Sequence, residues 1–228
     1  MVPWILLERA SMPGGGELRL ARRGTEFSIM LGDSELMNSR LSGSEDALAR
    51  ISCAKIRERQ KPRVLIGGLG MGFTLRAALA QLGTDAMVTV AEVAPAVVSW
   101  ARGPLAGIFA GSLADQRVSI YEGDVGDLIW SDPAKYDAIL LDVDNGPEGM
   151  TRRANDSLYS RAGLNAARVA LTKRGVLAVW SSGPNRDFAY RLRRSGFNVE
   201  ERVVRANGSG RGARHIIWIG TSGGGPQV

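Results

Sequence analysis

The sequence predicts an α/β fold: a doubly wound, mostly parallel sheet closed by a C-terminal antiparallel hairpin and preceded by a small N-terminal β-meander. Three observations carry this. From Lys61 onward, short apolar strand patterns alternate with helical ones, as a parallel sheet covered on both faces requires. Before that point, apolar and polar side chains alternate in period two between Gly and Pro breaks. The last two strand patterns follow each other directly, joined only by a Gly-rich loop.

Taken in order, "WILLERA", "ELRLARR" and "EFSIML" are the meander strands, separated by "SMPGGG" and by short turns. In "SEDALARISCAKIRER" the apolar residues fall at helical spacing, with Ser44 as the expected cap and Glu45 and Asp46 in the first turn. The expected division is a meander over residues 1–42 and a nucleoside-binding catalytic domain over 43–228. "RVLIGG" is a strand, "FTLRAALAQLG" a helix stopped at Gly83, and "MVTVAEV" a strand. "PAVVSWARG" is a helix that Pro95 opens from a favourable first-turn position. "RVSIYEGD" and "YDAILLD" are strands, "SRAGLNAARVALTKRG" a helix, "VLAVWSS" a strand and "DFAYRLRRSG" a helix. "FNVEERVVRA" and "RHIIWIGTS" form the closing hairpin, expected to add an antiparallel edge strand. This series resembles the Rossmann-like class I S-adenosylmethionine-dependent methyltransferase fold.

Composition narrows the chemistry. Cys53 is the only cysteine and His215 the only histidine of 228 residues, which removes internal disulfides, cysteine or multi-histidine metal sites and most histidine relays. No metal is expected. No apolar run reaches membrane-span length, and "MVPWILLERA" lacks the pattern of a signal peptide, so a cytoplasmic location is expected. The net charge of +6 comes largely from arginines after residue 150, among them Arg152, Arg153, Arg161, Arg168, Arg186, Arg191, Arg193 and Arg194. An RNA partner is the alternative that this charge raises; solvated Arg-rich helices are the plainer account, since no aromatic-interleaved basic motif accompanies it.

"GGLGMG" directly follows the first parallel strand and opens a helix. Gly68, Gly70 and Gly72 let the backbone turn sharply and a ligand approach closely, beside the free N–H groups of a helix start. Glu92 ends the next strand, where an acid accepts from ribose hydroxyls in nucleoside-binding α/β folds. Asp124 ends the third strand, where methyltransferase-like folds place an acid that accepts from the adenine amino group; Asp127 competes for this role. The glycine spacing differs from the dinucleotide pattern G-x-G-x-x-G, so the three loops point to a sulfonium nucleoside rather than NAD.

The fourth parallel strand runs into "LLDVDNGPEG". Together with the glycine loop, Glu92, "YEGD" and the N-terminal meander, it resembles the spermidine synthase (polyamine aminopropyltransferase) family. The resemblance implies S-adenosylmethionine or its decarboxylated form as a substrate, an amine acceptor and Asp142 as the base that activates it. The family's Asp-x-x-Asp-Pro turn becomes Asp142, Asn145 and Gly146 here, while Leu69 and Met71 interrupt its usual Gly-Gly-Gly-Asp-Gly loop. The family's Gln near the end of the meander and its Tyr-His-Glu segment find no match, with Met37 and Asn38 in the first region, which implies an altered acceptor site. Asp144, Asn145 and Trp180 are acceptor-site candidates, and Asp144 and Asn145 serve equally well to hold the turn. Glu148 and Asp156 fit a solvated loop as well as an acidic mouth. Dimerisation through the meander follows from analogy alone. His215 reads as a structural strand residue and Cys53 as a small core residue. Beside the transferase stand two other readings, a methyltransferase acting on RNA or a small molecule and a nucleoside-binding protein without catalysis.

Overall fold

The computed structural model describes residues 2–143, 146–147, 157–207 and 212–223. Asp144, Asn145, Glu148, Arg152, Arg153 and Asp156 lie outside them.

The chain begins with a four-stranded antiparallel sheet in sequential order, β1 (Ile5–Ser11), β2 (Glu17–Arg23), β3 (Glu26–Leu31) and β4 (Ser34–Asn38). Strand β4 adds to the three segments legible in the sequence. Gly32, at φ 56°, and Asp33 form the two-residue loop that returns it against β3, with Leu31 facing Ser34. Helix α1 (Gly43–Ala54) follows. Ser44 does not cap it: the residue before the helix is Ser42, and Ser44 lies buried in the first turn with its hydroxyl donating to Glu45 Oε2 at 2.7 Å. Burial against the core outweighs the local capping preference of the serine.

The remaining elements are β5 (Arg63–Gly67), α2 (Phe73–Gln81), β6 (Met87–Glu92), α3 (Pro95–Arg102), α4 (Ala106–Phe109), β7 (Val118–Glu122), α5 (Val125–Ser131), β8 (Tyr136–Leu141), α6 (Arg161–Ala170), β9 (Leu171–Ser181), α7 (Arg186–Arg194), β10 (Phe197–Arg205) and β11 (Arg214–Ser222). Their strands form one seven-stranded sheet in the order β10-β11-β9-β8-β5-β6-β7, parallel from β9 to β7. Helix α6 ends at Ala170, five residues short of the helical pattern's limit at Gly175. Leu171 is taken into β9 by pairing with Tyr136, and the Thr172 hydroxyl donates to Asp137 at 2.8 Å, so tertiary pairing overrides local propensity. The closing hairpin adds an antiparallel edge strand as expected: β10 forms the edge, and the reversed strand β11 lies inside the sheet between β9 and β10. The run Ile216–Ile219 is buried throughout, which suits an interior strand covered on both faces.

Strand β5 shows why its sequence is apolar without alternation. Val64 and Ile66 enter a core shared with α1, α2, α3 and Leu18, Leu20 and Ile29 of the small sheet; Leu65 faces the opposite core beside α5, α6 and α7. From β5 the chain steps outward to β6 and β7, then returns to β8 on the other side. That reversal opens a crevice beyond the carboxyl ends of the strands. The small sheet closes over it, tied to α3 where Trp100 Nε1 donates to Glu8 Oε2 at 2.6 Å.

Candidate active site

Two cavities lie at this edge. The first, about 670 Å³, is lined by Gly68, Gly70, Glu92, Asp124 and Asp142 from the strand ends and by Met12, Leu18, Leu36 and Met37 from the small sheet. The second, about 680 Å³, is lined by Glu45, Leu69, Met71, Phe73, Trp180 and Asn38. Leu36, Met37, Gly70 and Asp142 belong to both walls.

The glycine loop divides its labour. Gly68, at φ 92°, is pressed against the Asp142 carbonyl, so any side chain there collides with the end of β8. Gly70, at φ 51°, faces the crevices, and a Cβ would sit 3.4 Å from Met37 Sδ. Gly72 lines neither cavity; it precedes α2 at φ 77° and leaves room for the Phe109 ring, which makes it a packing residue.

Glu92 is buried at the end of β6, and its Oε2 accepts from Leu69 N at 3.0 Å and Oε1 from Ala94 N at 2.8 Å. Burial raises its pKa, and these backbone donors oppose the rise. The carboxylate thus pins the glycine loop to the start of α3 while lining the crevice. Each oxygen has a second lone pair for a hydroxyl. Asp124 caps α5, its Oδ1 accepting from Gly126 N at 2.8 Å, and it too lines the crevice. Asp127 lies in the first turn of α5, where the Tyr121 hydroxyl donates to it at 3.3 Å, and does not line the cavity.

Asp142 follows β8 directly, held by its N–H to the Gly67 carbonyl at 2.9 Å. Thr74 Oγ1, in the first turn of α2, donates to Asp142 Oδ2 at 2.6 Å. Desolvation, followed by the charge of Glu45, pushes the Asp142 carboxyl up to about 7, against the lowering effect of Thr74. Burial raises Glu45 as well, partly offset by the Ser44 hydroxyl. The wall between the two cavities therefore carries a carboxyl poised near neutrality. Glu45 and Thr74 were not legible as site residues: one reads as an ordinary first-turn acid, the other as a helix residue. Only the packing of α1 and α2 against β8 brings them to Asp142.

Trp180, in β9, lines the second cavity. His215 lines neither cavity, and its half-buried ring packs on Trp180 with centroids 4.8 Å apart. Burial lowers the His215 pKa, so the ring is neutral near pH 7. Cys53 is fully buried in the core, which pushes its thiol up to about 12. Among the described residues no group of three or more His, Cys, Asp and Glu is placed to hold a metal.

No family model matches the chain. A polyamine aminopropyltransferase of Mycobacterium tuberculosis is 32% identical over 126 residues, covering 53% of this chain and 23% of that protein. The chain thus matches about a quarter of the length of that curated relative. Spermidine synthase from Thermotoga maritima superimposes with a TM-score of 0.75 at 17% identity, over 96% of this chain and 73% of that one. A spermidine synthase in complex with the transition-state analogue AdoDATO gives 0.74 at 17% identity, over 96% and 72%. The chain has a spermidine synthase-like fold. The likeness covers 96% of the chain, so it takes in the small N-terminal sheet as well as the seven-stranded one.

Against the spermidine synthase pattern, the turn after Asp142 shows a physical reason for its departure. Gly146 stands where the family motif has proline, and it adopts φ 83°, out of reach for a proline ring. A Cβ there would lie 2.6 Å from the Trp180 carbonyl oxygen, so Gly146 packs directly on the end of β9.

Proposed function

We propose that the protein transfers an aminopropyl group from decarboxylated S-adenosylmethionine to an amine, with Asp142 as the base. The observation that carries this reading is the position of Asp142 on the wall shared by the two cavities. A sulfonium nucleoside in the first cavity, gripped by Glu92 at the ribose and Asp124 at the adenine, would bring its reactive carbon to that wall. An amine in the second cavity would meet it there. The amine nitrogen forms a bond to the carbon, the carbon–sulfur bond breaks with its electron pair to sulfur, and the amine proton passes to Asp142. Sulfur is already a good leaving group, so the protein's task is alignment and proton removal. The spermidine synthase fold and the aminopropyltransferase relative favour aminopropyl over methyl transfer. We also assign residues 1–42 to a covering meander and 43–228 to the catalytic domain, and expect cytoplasmic action.

Calorimetry with decarboxylated S-adenosylmethionine, S-adenosylmethionine and methylthioadenosine tests this, and preference for the decarboxylated form is expected. Silence from all three would remove the substrate assignment. The rate should depend on pH in one direction: the base works as a carboxylate, so turnover falls as pH drops below about 7, where Asp142 takes up its proton.

A further inference from the structure

We propose that Glu45 holds the cationic nitrogen of the acceptor amine in the second cavity while Asp142 removes its proton. This rests on the transferase reading and divides its acceptor side between two carboxyls. The two differ in where they stand. Asp142 lines both cavities, whereas Glu45 lines the second and not the first. An amine in the second cavity that reaches for a carbon in the first thus has Asp142 beside the bond that forms. Glu45 stands behind it, on the acceptor's own side.

Glu45 is fixed to the start of its own helix. It sits in the first turn of α1, where free N–H groups favour negative charge. Burial raises its pKa, and the Ser44 hydroxyl at 2.7 Å works against that rise together with backbone hydrogen bonds at Ser44 and Glu45. Desolvation, and after it the charge of Glu45, raises Asp142, so the two carboxyls lie close enough to repel. A cation between them replaces that repulsion with two attractions. A primary ammonium has three N–H donors, enough for one to each carboxyl.

The ammonium gives one proton to Asp142. The neutral nitrogen then forms its bond to the sulfonium-bound carbon, the carbon–sulfur bond breaks with its electron pair to sulfur, and the nitrogen becomes cationic again. Glu45 neither gains nor loses a proton. It faces a positive nitrogen before the proton leaves and again as the new bond forms. Its attraction is therefore much the same in the bound complex and in the transition state, and such uniform binding acts on KM rather than on kcat.

The test measures initial rates with putrescine, cadaverine and butylamine as acceptors and decarboxylated S-adenosylmethionine as donor. For an amine that the native protein turns over, Glu45→Gln should raise KM by about tenfold or more, as the loss of a charged hydrogen-bond partner implies, with kcat within a few-fold. Methylthioadenosine affinity, measured by calorimetry, should be unchanged. Glu45→Asp keeps the charge on a shorter arm and should recover part of the KM. A parent-like KM in Glu45→Gln, or a loss confined to kcat, overturns the role of Glu45 and leaves the transferase reading standing. If no amine reacts while methylthioadenosine still binds, the transferase reading falls and this assignment with it. Should Glu45→Gln fail to fold, Glu45→Asp decides alone: its KM should lie above the native value, and a KM equal to it overturns the proposal.

Discussion

The two cavities share a wall yet treat their acids differently. In the first cavity Glu92 and Asp124 accept hydrogen bonds from backbone N–H groups, which hold two loops and two helix starts in place. On the wall that the two cavities share, Asp142 has one hydroxyl donor and an acidic neighbour, and its pKa rises to about 7. Burial raises the pKa of both Glu92 and Asp142, but four backbone donors oppose the rise at Glu92, which anchors two loops, while only the Thr74 hydroxyl opposes it at Asp142. Changes on each side should therefore fail in different ways.

The largest expected effect is from Asp142→Asn. The amide keeps the size of the carboxylate and accepts from Thr74 but cannot take a proton, so turnover should fall by about 10²–10⁴. Nucleoside affinity, measured by calorimetry, should stay within a few-fold. The same change should raise thermal stability at pH 8. A folded-state pKa of about 7, raised from an ordinary 3.8, means stability fully present below about 3.8 and lost as pH rises through 7. The variant escapes that loss by about 2–4 °C for each kcal/mol recovered. Retained turnover would remove Asp142 from the role of base.

Gly70→Val should come next. The substitution strains a φ of 51° and thrusts methyl groups toward Met37 and both cavities, so methylthioadenosine affinity should drop by about a hundredfold. Parent-like binding would make this glycine a turn residue only.

Glu92→Gln should weaken nucleoside binding by roughly tenfold or more, since a hydrogen bond to a charged group is worth about 1.5–3 kcal/mol. The structure adds a second consequence. The amide NH₂ must face Leu69 N or Ala94 N, donor against donor, so the melting temperature should fall as well. A binding loss with an unchanged melt would show that the backbone contacts contribute little.

The smallest effect is expected from Thr74→Val. Without the hydroxyl that favours ionisation, the midpoint of the pH–rate profile should move above about 7, while the alkaline plateau stays near the parent value. An unmoved midpoint would detach Thr74 from the base.

Much of this was readable in advance because it rests on short-range pattern. Uninterrupted apolar strands at β5 and β8, Pro95 at the start of α3, and acids at successive strand ends each announce themselves within a few residues. The sequence therefore determined the α/β fold, the crevice and the placement of Gly68, Gly70, Glu92, Asp124 and Asp142 along it. Tertiary structure decided the rest. Strand β4, a short segment with a weak signal, becomes a wall of both cavities only by pairing with β3. Gly72 serves Phe109 rather than a ligand, and Ser44 serves Glu45 rather than the helix end. Glu45 and Thr74 lie 97 and 68 positions from Asp142 in sequence, and no local periodicity records that meeting. A side chain's proton affinity depends on what surrounds it in space, and that is set when α1 and α2 close over the end of β8.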